Sequence, residues 1–434
     1  MRLGWFINFL TPGWNVPWAG DAGATWMDGE FFVDMARSLD RAGFDVMMLE
    51  DSNHMSDAYG GSFQGELKHT VRAPKNDPVP LIPLLAQATE RLNFVATMST
   101  SFYPPFLLAR LMVTLDHLTN GRVGWNVVTS YSDLAAKNFG AEALPPHDER
   151  YEIAEEFVDV VKKLWDSWDR DAVVMDRETG RYVDHDKVHT IDHHGRYFDV
   201  RGPLNTLPPV QRRPVIAQAG GSPRGREFAA RNADMIVASP KGIDEMRDYR
   251  TEIRRRAALA GRNPDNVRIL YMVSPFVEET VERAIALQAE RRAVTDEHAE
   301  RRLLMMTDDF DFAQFPLDEP LPEYASEGTH GSAQSGMQQF VKWAGGRPLR
   351  EAASADEFEA VPLAGTPSTV ADRMQEVHEE VGGDGFLLFA GGGGMITRRY
   401  IDQITDGLVP ELRRRGLVRD VPTGGHFIDR LIAE

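Results

Sequence analysis

LNFVATMST at 92–100, SFYPPFLLARLMVTLDHLTNG at 101–121 and RVGWNVVTS at 122–130 read in turn as strand, helix and strand. Each apolar run stops at small polar residues, and the helix is closed by Asn120-Gly121. Two parallel strands joined by a helix form the repeating unit of a parallel α/β barrel, whose ligand sites collect at the carboxyl ends of its strands. That placement makes Thr97, Ser99, Asn126 and Ser130 ligand candidates.

Working outward, short apolar segments of the same kind recur with helical stretches between them: LGWFINF near Leu3, DVMMLED at Asp45, PVIAQAG at Pro214, DMIVAS at Asp234, VRILYMVSPFV at Val267 and GFLLFAG at Gly385. With the two strands of the opening stretch they number eight, the count that closes a (β/α)8 TIM barrel. The spacing predicts buried helix faces at Phe31, Met35, Leu39 and Ala42 before Gly43, at Leu107, Leu111, Leu115 and Leu118, and at Ile153, Phe157, Val160 and Leu164. Two segments break the rhythm. Residues 167–213, after the fourth helix, carry turn residues and alternating aromatics, as a hairpin insertion would, and residues 307–364, between the seventh and eighth strand–helix units, are rich in Asp, Pro, Gly, Gln and Phe. The expectation is one domain over 1–434, with both insertions forming a lid over the barrel mouth.

The 434 residues include 48 basic and 66 acidic side chains, a net charge of −18 that disfavours nucleic-acid phosphates and anionic lipid surfaces. Cysteine is absent, which removes disulfides, thiolate metal sites and cysteine nucleophiles and agrees with a reducing compartment. The start MRLGWFINFL lacks the pattern of a secretory signal, and no apolar run approaches the ~20 residues that span a bilayer, so a cytoplasmic location is expected.

Three stretches point to chemistry. In QAGGSPRGREFAA, 218–230, a strand ends in Gly220-Gly221, Ser222 stands at the N-cap and Pro223 at the first helical position, an arrangement whose outward N–H groups and helix dipole suit a phosphate. Ser222-Pro223 could equally do no more than start a helix, as Thr366-Pro367 does. In HDERYE, 147–152, Asp148 is expected as N-cap, which puts His147 and Tyr151 at the mouth as donors, although a half-buried Tyr and a solvated His explain the pattern at least as well. In MMLEDSNH, Asp51 ends the second strand and offers an acceptor-only carboxylate; which of Glu50 and Asp51 faces inward is undecided, since parallel strands are buried on both faces.

Histidines 185, 189, 193 and 194 sit in a polar, turn-rich insert without an HExxH relation, and no metal site is assigned to them. Phe102 and Tyr103 lie just past a strand end, where they could wall a flat ligand; with His54 they are the pocket candidates, no catalytic nucleophile being assigned. His54, His69 and Arg72 could receive an acidic substrate or be ordinary surface groups. No GxGxxG, GK[ST] or GxSxG pattern occurs, so a redox cofactor would have to be held by the barrel itself.

Taken as an ordered set, ATMSTSFYPPFLLARLMVTLDHLTNGRVGWNVVTS, HDERYE and QAGGSPRG resemble the nitrilotriacetate monooxygenase branch of the bacterial-luciferase-like flavin enzymes, which includes pristinamycin synthase and dibenzothiophene-sulfone monooxygenase subunits. The resemblance extends from LGWFINF to DGLVPELRRRGL. It implies a two-component monooxygenase in which reduced FMN, supplied by a separate NAD(P)H:flavin reductase, reacts with O2 and oxygenates a small organic substrate through a flavin–peroxide intermediate. By motif position it implies that Asp51 and Thr97, with Asn126 and Ser130, meet the isoalloxazine ring, and that His147, Tyr151, Gly221 and Ser222 hold the ribityl-phosphate end. It also implies a homodimer or homotetramer. The alternatives are a deazaflavin-dependent oxidoreductase on the same barrel, a metal hydrolase using the histidine-rich insert, and a non-catalytic accessory subunit.

Overall fold

A computed structural model describes residues 1–16, 19–292, 295–306, 308, 310–322, 340–341, 344–354, 359–390, 396–418 and 425–432. Eight parallel strands close a barrel: β1 (Arg2–Asn8), β2 (Val46–Glu50), β3 (Asn93–Ser99), β4 (Val123–Val128), β5 (Val215–Gln218), β6 (Met235–Ala238), β7 (Arg268–Val273) and β8 (Gly385–Leu388). Each pairs with its sequence neighbours, and β1 meets β8 in the register Arg2↔Gly385 to Trp5↔Leu388, so the ring has no open edge. All eight expected segments are strands. VRILYMVSPFV divides, however: the barrel strand stops at Val273, and Phe276–Val277 pairs instead with Ala364–Gly365.

Side chains alternate between two apolar layers. Val46, Met48, Val95, Val215, Ala217, Met235, Val237, Leu270, Met272 and Leu387 fill the barrel, whereas Leu3, Trp5, Met47, Leu49, Ala96, Met98 and Trp125 face the surrounding helices. Closure leaves little room inside. A Cβ on Gly4 would lie 2.6 Å from Leu387 Cδ1, and one on Gly124 would lie 3.2 Å from Phe427 Cε1.

The helices around the ring that bear on the site are α1 (Glu30–Ala42), α2 (Leu81–Gln87), α3 (Pro105–Leu118), α4 (His147–Trp165), α5 (Pro223–Asn232), α6 (Gly242–Leu259) and α7 (Pro367–Val381). In α1 the core-facing aromatic is Phe32, with Phe31 only partly buried, and Gly43 at φ +84° ends the helix as expected. The predicted face of α3 is corrected: Leu107 and Leu118 are exposed at 48% and 58%, and Leu108, Met112 and Leu115 pack inward. This helix carries leucines on two adjoining rows, and packing against the barrel selects between them. In α4 Ile153 is only partly buried, and Ala154, Phe157, Val160, Val161 and Leu164 form the buried stripe.

Residues 167–213 form short hairpins, Val173–Asp176 with Arg181–Val183 and His193–His194 with Asp199–Val200. They bind the outer flank of α4 through Glu156, which accepts from the backbone N–H groups of Arg196, Tyr197 and Phe198. They continue to the amino end of the barrel, where Gln211 Nε2 donates to the Val123 carbonyl at 2.7 Å. These contacts run along the flank of α4, where Arg196 and Tyr197 also reach Glu152, and down to the floor of the barrel.

The second insertion begins earlier than residue 307. The Phe276–Val277/Ala364–Gly365 pair pinches its base, and helices Val281–Arg292 and Asp296–Met306 fall inside it, so the barrel's seventh helix is α7. It is a small folded unit with its own core of Leu303, Phe310, Phe312, Phe340 and Leu349, docked on the loop after β2. Its residues 323–339, 342–343 and 355–358, like the glycine tract 391–394, lie outside the described residues.

Phe427–Ile432 is a final helix that stoppers the amino end of the barrel. Phe427, Ile428 and Leu431 join the interior layer, the Phe427 N–H donates to Gly121 O at 2.8 Å, and Arg2 and Arg268 donate to the Leu431 carbonyl. Truncating this stopper, Phe427→Ala, is expected to lower the unfolding free energy by about 3–5 kcal/mol. Urea unfolding checks it, and a loss below about 1 kcal/mol would show that the stopper contributes little.

Candidate active site

The alternation that fills the barrel also aims its last inward side chains into the mouth. Thr97 and Ser99 share the inward parity of Val95, Asn126 that of Gly124, and Glu50 that of Val46 and Met48. Thr97 and Asn126 are buried and meet across the β3–β4 pair, with Asn126 Nδ2 donating to Thr97 Oγ1 at 2.9 Å. Asn126 Oδ1 is buried without a hydrogen-bond partner among the described residues, an acceptor open to a donor from a ligand. Beside them the Ser99 and Ser130 hydroxyls lie 2.7 Å apart, Ser130 being held at φ +57°.

Parity turns Glu50 inward and leaves Asp51 as the first residue past the strand. Glu50 takes the ammonium of Lys75 at 2.7 Å, while among the described residues Asp51 accepts from Asn53 Nδ2 at 3.0 Å. Burial raises the Asp51 carboxyl to about 6; Lys75 opposes the rise, and Glu50 adds to it. Tyr103 is half-buried near this carboxylate, and its phenol is raised by burial and then by Asp77 and Asp51. Phe102 stacks on Phe139 at 4.3 Å, which commits one of its faces to protein.

A second group forms where β5 hands over to α5. Ser222 is the N-cap and Pro223 opens the helix, as expected: Ser222 Oγ accepts from Gly225 N at 3.0 Å and Ser222 O from Arg226 N at 2.8 Å. The backbone N–H groups of Gly221, Ser222 and Arg224 have no partner among the described residues, and a Cβ on Gly221 would meet nothing within 4 Å, so the corner is open. Tyr151 comes down on it from α4. Its hydroxyl would lie 2.7 Å from a Cβ at Gly225, which therefore has to be glycine for the phenol to reach the turn. His147 packs edge-on against Tyr151 at 5.1 Å. The expected cap is corrected: α4 starts at His147 after Pro146, and Asp148, one residue inside, meets His147 Nδ1 at 2.7 Å. Arg224 and Arg226 are held by Glu155 and Glu252, so the corner offers N–H and hydroxyl donors in place of an unpaired cation.

His54 is buried, and its Nε2 lies 2.8 Å from Asp308 Oδ2, close enough for an ion pair although off-line for a hydrogen bond. Asp308 also meets Arg72, which Glu66 holds at 3.0 Å, and Ser56 Oγ donates to its carbonyl. This buried cluster pins the second insertion to the loop after β2; only its His54 and Arg72 were candidates on sequence, and nothing local marks Asp308. Gln218, buried beside the Tyr151 phenol, and Gly225 were also missed as individuals, although both lie within QAGGSPRG.

The four insert histidines do not converge: 185, 189, 193 and 194 face Asp186, Asp169, Glu156 and Asp199 respectively. Among the described residues one group could hold an ion by proximity, Asp184, His185 and Asp186, with the latter two exposed. No helix of the described residues is long and apolar enough to cross a membrane.

The family model described as luciferase-like monooxygenase matches residues 1–385. Dimethyl-sulfide monooxygenase of Hyphomicrobium sulfonivorans is 36% identical over 413 residues, covering 94% of this chain and 85% of that protein. Nitrilotriacetate monooxygenase component A of Aminobacter aminovorans is 34% identical over 432 residues, covering 96% and 92%. A crystal structure of riboflavin lyase with modified FMN and riboflavin superposes with TM-score 0.86 at 29% identity, covering 99% of this chain and 95% of that one. An F420-dependent secondary alcohol dehydrogenase, at 16% identity and TM-score 0.59, shares the fold alone.

The Asp51 environment predicts a pH signature. With a folded value near 6 against 3.8 for the free side chain, the folded state holds the proton more tightly, so stability falls as pH rises through that window and the deficit persists above it. Asp51→Asn is expected to melt at a higher temperature than the parent at pH 7.5 and at the same temperature near pH 4. Equal shifts at both pH values would show that the carboxylate is not desolvated.

Proposed function

This chain belongs to the luciferase-like monooxygenase family and is a flavin-dependent monooxygenase, and from that premise we propose that it is the oxygenating component of a two-component system that uses reduced FMN and O2. FMN reduced by a separate NAD(P)H:flavin reductase arrives by diffusion or docking. The name "component A" of one relative supports the two-component setting, and the FMN-bearing riboflavin lyase structure supports the cofactor. The names of the relatives span a neutral sulfide and a tricarboxylate, so they leave the substrate open. In the overall reaction the substrate takes one atom of O2, the other leaves as water with two protons, and the two electrons come from the reduced flavin.

The observation that carries the cofactor assignment is the pairing of two unfinished polar sites in one mouth: open N–H groups and a hydroxyl at the start of α5, and an unpartnered acceptor on Asn126. A phosphate suits the first, and a ring bearing an N–H suits the second. In this assignment Gly221, Ser222, Tyr151 and His147 hold the phosphate end, and Thr97 and Asn126, with Ser130 behind them, orient the ring. When bound, reduced FMN supplies the electrons that activate O2. The chain's own work is positioning and exclusion of water. Asp51 lies at the ring end with a carboxyl poised near neutrality, able to hold or release a proton at its own oxygens. The second insertion, pinned by Asp308, acts as the lid.

Anaerobic titration of the full chain with reduced FMN tests the assignment. Saturable binding is expected, and the absence of binding overturns it. Ser222→Glu places a carboxylate where the phosphate would rest and is expected to weaken binding by a hundredfold or more; Ser222→Ala, which loses the cap and one hydroxyl donor but adds no charge, is expected to cost about 1 kcal/mol of stability and to bind FMN far better than Ser222→Glu. Equal binding by the two variants would move the phosphate elsewhere on the rim.

A further inference from the structure

A cavity of about 390 Å³ opens in the mouth between the loops that follow β1 and β2, lined by Thr11, Trp14, Asp21, Ala24, Thr70 and Pro74 among others. Its volume falls in the range of small-molecule sites. Its walls are tied together: Leu10 bridges Lys75, Asn76 N donates to Phe9 O at 2.9 Å, and Gly13 N donates to Ile396 O beyond β8. In the ring order β5 lies four strands from β1, so the cavity sits across the mouth from the α5 corner.

The charge around this cavity is one-sided. Most of its wall comes from residues 11–14 and 20–24, the stretch 9–29 contains no Lys, Arg or His in its sequence, and Asp21 is an acidic member of the lining. The other wall, Thr70 and Pro74, comes from the loop after β2, whose five cationic or imidazole side chains lie outside the lining and each face a carboxylate of the chain itself. His54 is 2.8 Å from Asp308, Lys75 2.7 Å from Glu50, Arg72 3.0 Å from Glu66, His69 3.1 Å from Glu300 and Lys68 3.3 Å from Glu300. The side chains of His54, Arg72 and Lys75 are 2%, 6% and 6% exposed, so drawing one toward a ligand carboxylate would strand its own partner in a poorly hydrated place. A chain of net charge −18 adds a long-range field that repels anions.

We propose that this cavity is the substrate site and that it takes an uncharged, mainly apolar small molecule, with carboxylates excluded. The inference rests on the monooxygenase assignment above and narrows its substrate class. Trp14, 49% exposed on the cavity wall, is the apolar contact surface for such a molecule.

Matched probes that differ by one carboxylate test it: methyl phenyl sulfide against (phenylthio)acetate, and toluene against phenylacetate. Each is titrated against the full chain while tryptophan emission is read, with Trp14→Phe as the reference that removes the local reporter. The neutral member of each pair is expected to shift the emission saturably, to lose most of that signal in Trp14→Phe, and to bind at least tenfold more tightly than its carboxylate. Equal or tighter binding of the carboxylates overturns the proposal, as does failure of every probe to bind or a signal unchanged in Trp14→Phe. The reduced-FMN titration, run separately, distinguishes the two levels. Probe preference without flavin binding sinks the oxygenase assignment alone, and flavin binding without probe preference sinks the substrate class alone.

Discussion

Closing eight strands into a ring imposes one side-chain parity on the whole interior, and the polar mouth depends on that constraint. Once Val46, Met48 and Val95 point inward, Glu50, Thr97 and Ser99 must follow them, because a strand cannot shift its pairing by one residue without turning every core side chain outward. The parity of β4 brings Asn126 against Thr97 in the same way. The site is thus the end of the packing sequence, where apolar residues give way to polar ones.

Much of this was legible in the sequence because barrel strands buried on both faces are short, nearly pure apolar runs ended by Gly, Pro or Ser. The Ser222 cap was legible because Ser-Pro after a glycine pair has few other structural uses. What stayed hidden had physical reasons. Both Glu50 and Asp51 end a strand without a polar face, so the sequence pattern could not rank them; the packing of Val46 and Met48 into the interior is what turns Glu50 inward. In α3 two leucine rows competed, and only packing could choose between them. The composition of residues 307–364 suggested an open loop, yet phenylalanines spaced far apart along that stretch form a compact core with helices that precede it. The role of Phe427–Ile432 as a barrel stopper depends on contacts with strands hundreds of residues away, which no local period records.

The two ends of the mouth treat charge differently. At the α5 corner the arginines are paired with glutamates, leaving oriented N–H groups to meet an anion. Backbone dipoles of this kind are fixed by the fold and need no reorganisation when a ligand arrives. At the β2 loop the charges instead neutralise one another across the junction with the second insertion, so that electrostatics there serves to hold two parts of the chain together.

The register between Arg2 and Gly385 bears on how the molecule is made. Ring closure joins segments nearly the whole chain apart, and such distant pairing slows folding because loop-closure entropy opposes it before the contacts form. Until β8 and the final helix are in place, the earlier strands present an unsealed apolar edge, the kind of surface on which nascent chains aggregate. Yield in a cell is therefore expected to respond to chaperone supply and synthesis temperature more than to the stability of the finished barrel.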